Sequence, residues 1–250
     1  MIRLYRKINS IVIIILLLLC VFLLDSHLED NKIDKSIKEF KSRGELIYEM
    51  DNFRYYKVSN KHDYEDSSNI IDTYTDINIG TVGDIYISNR DPLGDFFITK
   101  WISKISWIGH AGIVYNEDGS QLLEIVGNKS KEDNIVKIYE NNWMNVDSDK
   151  YLVMRVKDID INDRKEIRNI SDSIIGCKYN YFFLFSSKKR FYCTDLISYI
   201  YKNIDINLNN DYLFTTGSDI ASNDNTYIIY YREKYIKNNK VCYNIYYLDE

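Results

Sequence analysis

The hydrophobic residues of this chain form one unbroken run near the amino terminus and many short runs further on. The first run, Ile11 to Leu24, has the sequence IVIIILLLLCVFLL and contains no charged residue. Arg3, Arg6 and Lys7 precede it, and Asp25 follows it. A basic start before such a run predicts membrane targeting, because a helix buried in a soluble core would carry a polar stripe.

The residues around this run indicate that it is retained. No small-x-small cleavage site follows it, and Leu19 stands before Cys20, where lipid attachment would need a small residue. We therefore expect an uncleaved signal anchor, a transmembrane segment over residues 1–28, with signal cleavage and secretion as the alternative. Because basic residues precede the run and acidic residues follow it, the expected location is the cell membrane, with a single pass and an extracytoplasmic domain.

Residues 29–78 are dense in charge and poor in sustained apolar pattern. Apolar residues recur there at helical spacing in two groups, Ile33, Ile37 and Phe40 and then Leu46, Ile47, Met50 and Phe53. We predict one or two amphipathic helices separated at Gly44, and then a polar linker over residues 57–79. His62 lies in that linker, where a lone histidine is expected to be solvated.

From residue 79 onward, short apolar runs alternate with turn residues and predict a separate domain over residues 79–250. Apolar and alternating runs predict strands at residues 83–88, 109–115, 121–126, 135–139, 151–156, 227–231 and 241–248. Helical spacing predicts helices at residues 96–105, 163–175 and 194–202, and Gly176 is a stop signal for the second. This order of strands with a few helices favours an α+β fold over a doubly wound sheet.

Composition narrows the classes of function. The chain has 32 Lys and Arg residues and 37 Asp and Glu residues, which gives a net charge of −5. It therefore lacks the excess of basic residues that binding to nucleic acid requires. Four cysteines in 250 residues do not form a disulfide framework. We expect Cys177 and Cys242 to be free buried thiols, although an extracytoplasmic location would permit a disulfide between them.

The register of one predicted hairpin decides whether His110 and Glu124 share a face of the sheet. A three-residue loop over residues 117–119, with Gly119 in the left-handed conformation, sets Gly112 opposite Glu124 and leaves His110 diagonal to it. A two-residue turn would separate them. Diagonal neighbours lie about 7–8 Å apart, within reach of an imidazole and a carboxylate. We therefore expect Glu124 to orient the imidazole, as the third member of a catalytic triad does.

Cys193 is the candidate nucleophile because it lies where a loop enters a predicted helix. Free N–H groups and the helix dipole favour the thiolate there, and the amide of Cys193 is the natural donor to an oxyanion. Tyr192 is a candidate for the second donor. His110 and Cys193 have no near neighbours at zinc-ligand spacing, so neither a metal nor a cofactor is expected. The three candidate residues also have structural interpretations: Cys193 as a buried thiol, His110 as a core histidine and Glu124 as a glutamate on the polar face of a strand.

Five segments resemble the permuted papain-like amidases of the YiiX/YaeF type, within the NlpC-type cysteine hydrolase superfamily. In order they are GDIYIS, WIGHAGIVY, LLEIVG, GCKYNYFF and FYCTDLISYIY, and the resemblance covers about residues 79–231. It implies a circularly permuted papain-like fold, an antiparallel sheet with helices packed on it. It also implies His110 as general base, Glu124 as orienting residue and Cys193 as nucleophile, since a triad is defined by geometry and not by chain order.

The resemblance extends to two tyrosines and fails at the carboxy-terminal edge. Tyr192 matches the aromatic residue just before the cysteine, and Tyr179 falls in the Gly-x-x-Tyr segment that packs beside the site. Residues 215–220 lack the proline that family members often have there, and the chain past Tyr231 has no clear counterpart.

Together these features predict a membrane-anchored cysteine hydrolase that cleaves an amide or acyl bond through a thioester. The resemblance implies peptidoglycan peptide as substrate, because NlpC-type relatives cut it, or a lipid amide or ester, because the permuted branch is similar to lecithin-retinol acyltransferases. Two alternatives stay open. One is a non-catalytic envelope binding or scaffold module on the same fold, and the other is a lipid acyltransferase that passes the acyl group to an alcohol or amine.

Overall fold

The computed structural model describes residues 2–70, 78–89, 107, 109–127, 134–143, 148–181, 189–209 and 214–249. The helix predicted at residues 96–105 therefore lies outside the described residues. Within them the elements are, in chain order, α1 (Ile2–Ser42), β1 (Gly44–Met50), β2 (Phe53–Val58), β3 (Ile85–Ser88), β4 (His110–Val114), β5 (Gln121–Glu124), β6 (Lys137–Glu140), β7 (Lys150–Val156), α2 (Ile161–Ile174), β8 (Lys178–Tyr179), β9 (Arg190–Phe191), α3 (Cys193–Lys202), α4 (Gly217–Ser222), β10 (Thr226–Lys237) and β11 (Lys240–Leu248).

A large and mostly antiparallel sheet forms the centre of the molecule. Its strand order is β1-β2-β11-β10-β7-β3-β4-β5-β6, and β2 runs parallel to β11. Strands β8 and β9 form a separate parallel pair. The α+β class and the predicted antiparallel character of the sheet are confirmed.

Most of the predicted elements between residues 79 and 250 occur close to their expected positions. Helix α2 begins after Asp160, whose carboxylate accepts hydrogen bonds from the N–H groups of Asn162 and Asp163, and it ends before Gly176, which has a φ of +85°. Capping at one end and a left-handed glycine at the other delimit the helix, and the stop at Gly176 was predicted from the sequence. Strand β11 matches its prediction to within one residue, whereas β10 is longer than predicted because it continues past β7 in a hairpin with β11.

Residues 44–58 differ from the sequence prediction. The helix predicted around Ile33, Ile37 and Phe40 is present as the buried face of α1. The helical interpretation of Leu46 to Phe53 was wrong, because these residues form β1 and the start of β2. Ring stacking explains the difference: aromatic residues of β2 pack on β11, with Tyr56 and Tyr246 centroids 4.4 Å apart, and this pairing overrides a short helical pattern.

Helix α1 is continuous through the apolar run and the amphipathic segment that follows it. Among the residues that the structure describes, no helix has both the length and the apolar character that crossing a membrane requires. The division of the chain into residues 1–28, 29–78 and 79–250 stays a prediction, although residues 44–58 pair with the main sheet. His62 is exposed, as predicted, and stacks on Tyr64 with ring centroids 4.8 Å apart.

Arg155 forms a buried ion pair within the domain and also binds the polar segment after β2. Arg155 on β7 donates to both carboxylate oxygens of Asp84, at 2.9 and 2.7 Å. Its guanidinium also donates to the backbone oxygens of Asp66 and Ser68, at 2.6 and 2.8 Å. Burial opposes the charge of Arg155, but the Asp84 carboxylate outweighs burial and raises the pKa of the guanidinium.

We expect Asp84→Ala to lower the free energy of unfolding by about 3 kcal/mol, because the buried Arg155 would lose its buried carboxylate partner and keep only the exposed Asp66 carboxylate, 3.4 Å from Nη1. Urea unfolding at pH 7 measures this. Lys61→Ala is the control, since the Lys61–Glu39 pair is half exposed. Loss of this pair should lower the free energy of unfolding by less than about 1 kcal/mol. Equal losses in the two variants would contradict a stabilising role for the buried pair.

Candidate active site

The β4–β5 hairpin has the register that the sequence predicted. Ile113 pairs with Leu123 and Val114 with Leu122, and continuing this register sets Gly112 opposite Glu124. Gly119 in the connecting loop has a φ of +70°, a conformation that favours glycine. A Cβ at Gly112 would lie 2.9 Å from Cγ of Glu124. The glycine therefore leaves the space that the carboxylate occupies.

His110 and Glu124 meet on this face, as predicted. Nε2 of His110 lies 2.8 Å from Oε2 of Glu124, and both side chains are buried. Because Glu124 engages Nε2, Nδ1 is the ring nitrogen left for a second partner.

Cys193 lies next to the imidazole. It is the first residue of α3, after Tyr192 in extended conformation (φ −102°, ψ 171°), and its side chain is close enough to help raise the pKa of His110. Its Sγ lies 3.9 Å from the backbone oxygen of Gly109, and the residue is 6% exposed. The first N–H groups of a helix lack partners within it, so the backbone beside the sulfur favours negative charge. The structure thus brings together Cys193, His110 and Glu124.

The charge state of His110 follows from these contacts. Burial disfavours the imidazolium, but the hydrogen bond with Cys193 and the hydrogen bond and charge of Glu124 outweigh burial and raise the pKa of His110 to about 10. The imidazole is therefore protonated at neutral pH. An imidazolium next to a cysteine favours the thiolate over the thiol.

Trp143 is a site residue that the sequence reasoning missed. Its indole N–H donates to Oε1 of Glu124 at 2.6 Å, and its ring stacks on His110 with centroids 5.6 Å apart and planes 15° from parallel. Asn141 holds the backbone of Trp143, since its Oδ1 accepts from the Trp143 N–H at 3.3 Å. The available signal was a tryptophan alone in the polar segment NNWMN, where no apolar period accounts for it.

Tyr192 and Tyr179 are both buried near the sulfur. The Tyr192 hydroxyl shares a hydrogen bond with the backbone of Thr215, and burial, then the charge of Asp195, raises the pKa of Tyr192. Tyr179 pairs with Phe191 in the strand that leads to Cys193, and burial raises the pKa of Tyr179. Both phenols are therefore neutral. Their predicted roles in lining an oxyanion or substrate site stay predictions.

The remaining cysteines are free. Cys242 is buried, Cys177 is half-buried and Cys20 is exposed. The expectation of free thiols at Cys177 and Cys242 is confirmed, although Cys177 is less buried than predicted. In the described ranges, no group of three or more His, Cys, Asp or Glu side chains is arranged to hold a metal ion.

Comparison with known proteins identifies the family. Residues 80–244 match the family described as permuted papain-like amidase enzyme, YaeF/YiiX, C92 family. Among solved structures, the chain is similar to the crystal structure of metalloprotein yiiX from Escherichia coli O157:H7, with 20% identity, a TM-score of 0.42, and coverage of 52% of this chain and 69% of that chain. No curated protein matches the chain. Since the matched residues make up more than half of the sequence, the chain belongs to the C92 family of permuted papain-like amidases of the YaeF/YiiX type.

Proposed function

We propose that this protein is a membrane-anchored, extracytoplasmic cysteine hydrolase that cleaves an amide or acyl bond through a triad of Cys193, His110 and Glu124. One observation carries the proposal: a buried imidazole lies between a carboxylate, 2.8 Å from Nε2, and the thiol at the start of a helix. Membership in an amidase family supports the same chemistry.

The proposed reaction proceeds in two steps. The Cys193 thiolate attacks the substrate carbonyl carbon, and the imidazolium of His110 gives its Nδ1 proton to the departing amine or alkoxide, which leaves a thioester. Water then attacks the thioester while His110 takes a proton from it, and the carboxylic acid departs as the thiolate and imidazolium are restored. The N–H of Cys193 is the proposed donor to the oxyanion of each tetrahedral intermediate.

Glu124 and Trp143 act through the imidazole. The carboxylate fixes the ring orientation and stabilises the imidazolium, as the third member of a triad does. Trp143 holds the second carboxylate oxygen and stacks on the imidazolium face, an arrangement in which cation–π attraction contributes about 0.5–2 kcal/mol. Neither residue needs to touch the substrate, so both are positioning residues.

The proposed location rests on the apolar run at Ile11 to Leu24 and on the charges around it. Anchoring would keep the site close to the membrane surface, where both substrate classes implied by the resemblance occur. These are the peptide part of peptidoglycan and lipid amides or esters. Secretion after cleavage of the apolar segment is the alternative location.

We expect iodoacetamide to alkylate Cys193 about one hundredfold faster than Cys177 at pH 6. An ordinary thiol, with a pKa of about 8.5, is almost fully protonated there, and burial raises the pKa of Cys177 further. His110→Ala should remove this advantage at pH 6 and have much less effect at pH 9. Peptide mass spectrometry of the full chain in detergent gives the rate at each cysteine.

Trp143→Phe keeps an aromatic ring over His110 but removes the donor to Glu124. We expect it to lower the pH 6 alkylation rate of Cys193 by about tenfold, as the loss of a hydrogen bond to a charged group does. A wild-type Cys193 no faster than free cysteine would contradict the hydrolase and support the scaffold module.

His110 should remain protonated until the pH rises through about 10, and Cys193→Ala should lower this pKa because the thiolate no longer stabilises the cation. NMR of ¹⁵N-labelled histidine measures the titration. The chain has three histidines, so His110→Ala assigns the resonance. Titration of His110 near the ordinary value of about 6.5 would exclude a stable ion pair.

The substrate class is testable by trapping the thioester. Full-length protein is incubated separately with peptidoglycan fragments and with membrane lipids. The reaction is then quenched in acid, and the mass of the intact protein is measured by mass spectrometry. We expect a mass increase with one of the two, which Cys193→Ala abolishes, because the acyl group is attached to this sulfur. Product that forms only when an alcohol or amine is added would indicate an acyltransferase. No adduct with either material would contradict both proposed substrate classes.

A further inference from the structure

The carboxy-terminal half of α1 packs on the catalytic domain although it lies outside the residues matched to the family. Ile33, Ile37 and Phe40 are buried against the domain. One turn before Ile33, Asp30 also points inward, while Asp34 on the same helix is exposed. The inward face of α1 therefore combines apolar packing with one carboxylate.

Asp30 connects α1 to two segments that are distant in sequence. Its Oδ1 accepts a hydrogen bond from Oγ of Ser218, 188 residues away, at 2.7 Å. The same oxygen lies 3.4 Å from the backbone N of Trp107. Ser218 and Trp107 are both buried. Burial raises the pKa of Asp30, and the hydrogen bond from Ser218 opposes this effect.

The segment at Trp107 leads directly to the catalytic histidine. The Trp107 carbonyl accepts from the N–H of Gly109 at 3.0 Å, and the Gly109 carbonyl is the oxygen that lies 3.9 Å from Sγ of Cys193. His110 is the next residue. A shift of Trp107 would therefore move both the histidine backbone and a polar contact of the sulfur.

The segment around Ser218 contacts the other half of the site. The Thr215 carbonyl accepts from the hydroxyl of Thr194, the residue after the nucleophile, at 2.7 Å. Two residues later, a Cβ at Gly217 would collide with the Trp107 carbonyl oxygen. Residues 215–218 thus lie between the first turn of α3 and the segment before His110, and Asp30 contacts both Ser218 and Trp107.

We propose that Asp30 is a positioning residue for the Cys193–His110 pair, so that helix α1 forms part of the active-site framework. This inference rests on the proposed function. Asp30 fixes Ser218 and Trp107 relative to each other, and the segments around these two contact the residues next to the nucleophile and the histidine. A carboxylate suits this task because one oxygen accepts from a hydroxyl and a backbone N–H together.

The test compares alkylation of Cys193 at pH 6 and pH 9 in full-length variants. We expect Asp30→Ala to lower the pH 6 rate about fivefold, within the range for residues that act through neighbouring segments. The pH 9 rate should change little, because an uncoupled thiol is ionised there. Asp30→Asn keeps an acceptor oxygen and should retain most of the pH 6 rate. Asp34→Ala is the matched control, with the same change of charge on the exposed face.

The outcomes separate this inference from the proposed function. A slow wild-type Cys193 at pH 6 would overturn the proposed function and this inference with it. A fast wild-type Cys193 with an unchanged Asp30→Ala variant would overturn only the role of Asp30, as would an equal loss of rate at both pH values. If Asp30→Ala does not fold, Ser218→Ala removes the same hydrogen bond from the α4 side and must cause the same selective loss at pH 6.

Discussion

The hydrogen bond between His110 and Glu124 is the contact on which the rest of the site depends. It requires that both side chains lie on one face of the hairpin, that Gly112 leave room for the carboxylate, and that the pair be buried. A buried carboxylate and imidazole are stable only when their polar atoms have partners. One carboxylate oxygen of Glu124 contacts His110 and the other accepts from Trp143. The imidazole of His110 in turn interacts with both Glu124 and Cys193.

Aromatic packing gives this contact a rigid base. The ring of Trp143 lies 5.3 Å from Tyr86, and Tyr151 stacks in turn on Tyr230 at 5.3 Å. These tyrosines are buried with their hydroxyls hydrogen-bonded, Tyr86 to the Ile79 carbonyl and Tyr151 to Tyr230. Buried tyrosine is favourable only when its hydroxyl finds a partner. The many tyrosines of the chain thus include a connected layer that runs from the histidine across the sheet.

The two halves of the site come from different layers. His110 and Glu124 belong to the sheet, whereas Cys193 begins a helix that packs on it. Their alignment depends on Trp107 and Gly109 before β4, on residues 215–218 around the start of α4, and on α1, which contacts Trp107 and Ser218 through Asp30. Trp107, Gly109 and residues 215–218 lie within residues 80–244, which match the family, whereas α1 lies outside that range.

The sequence by itself determined the α+β class, the hairpin register and the meeting of His110 with Glu124, because these follow from strand alternation and from the turn at Gly119, which act over a few residues. The convergence of Cys193 with them followed from family resemblance. Only the tertiary structure decided that Leu46 to Phe53 form strands, that Trp143 supports Glu124 and that Asp30 contacts Ser218. Those contacts depend on partners from 19 to 190 residues away and on stacking across strands, which a local pattern does not encode.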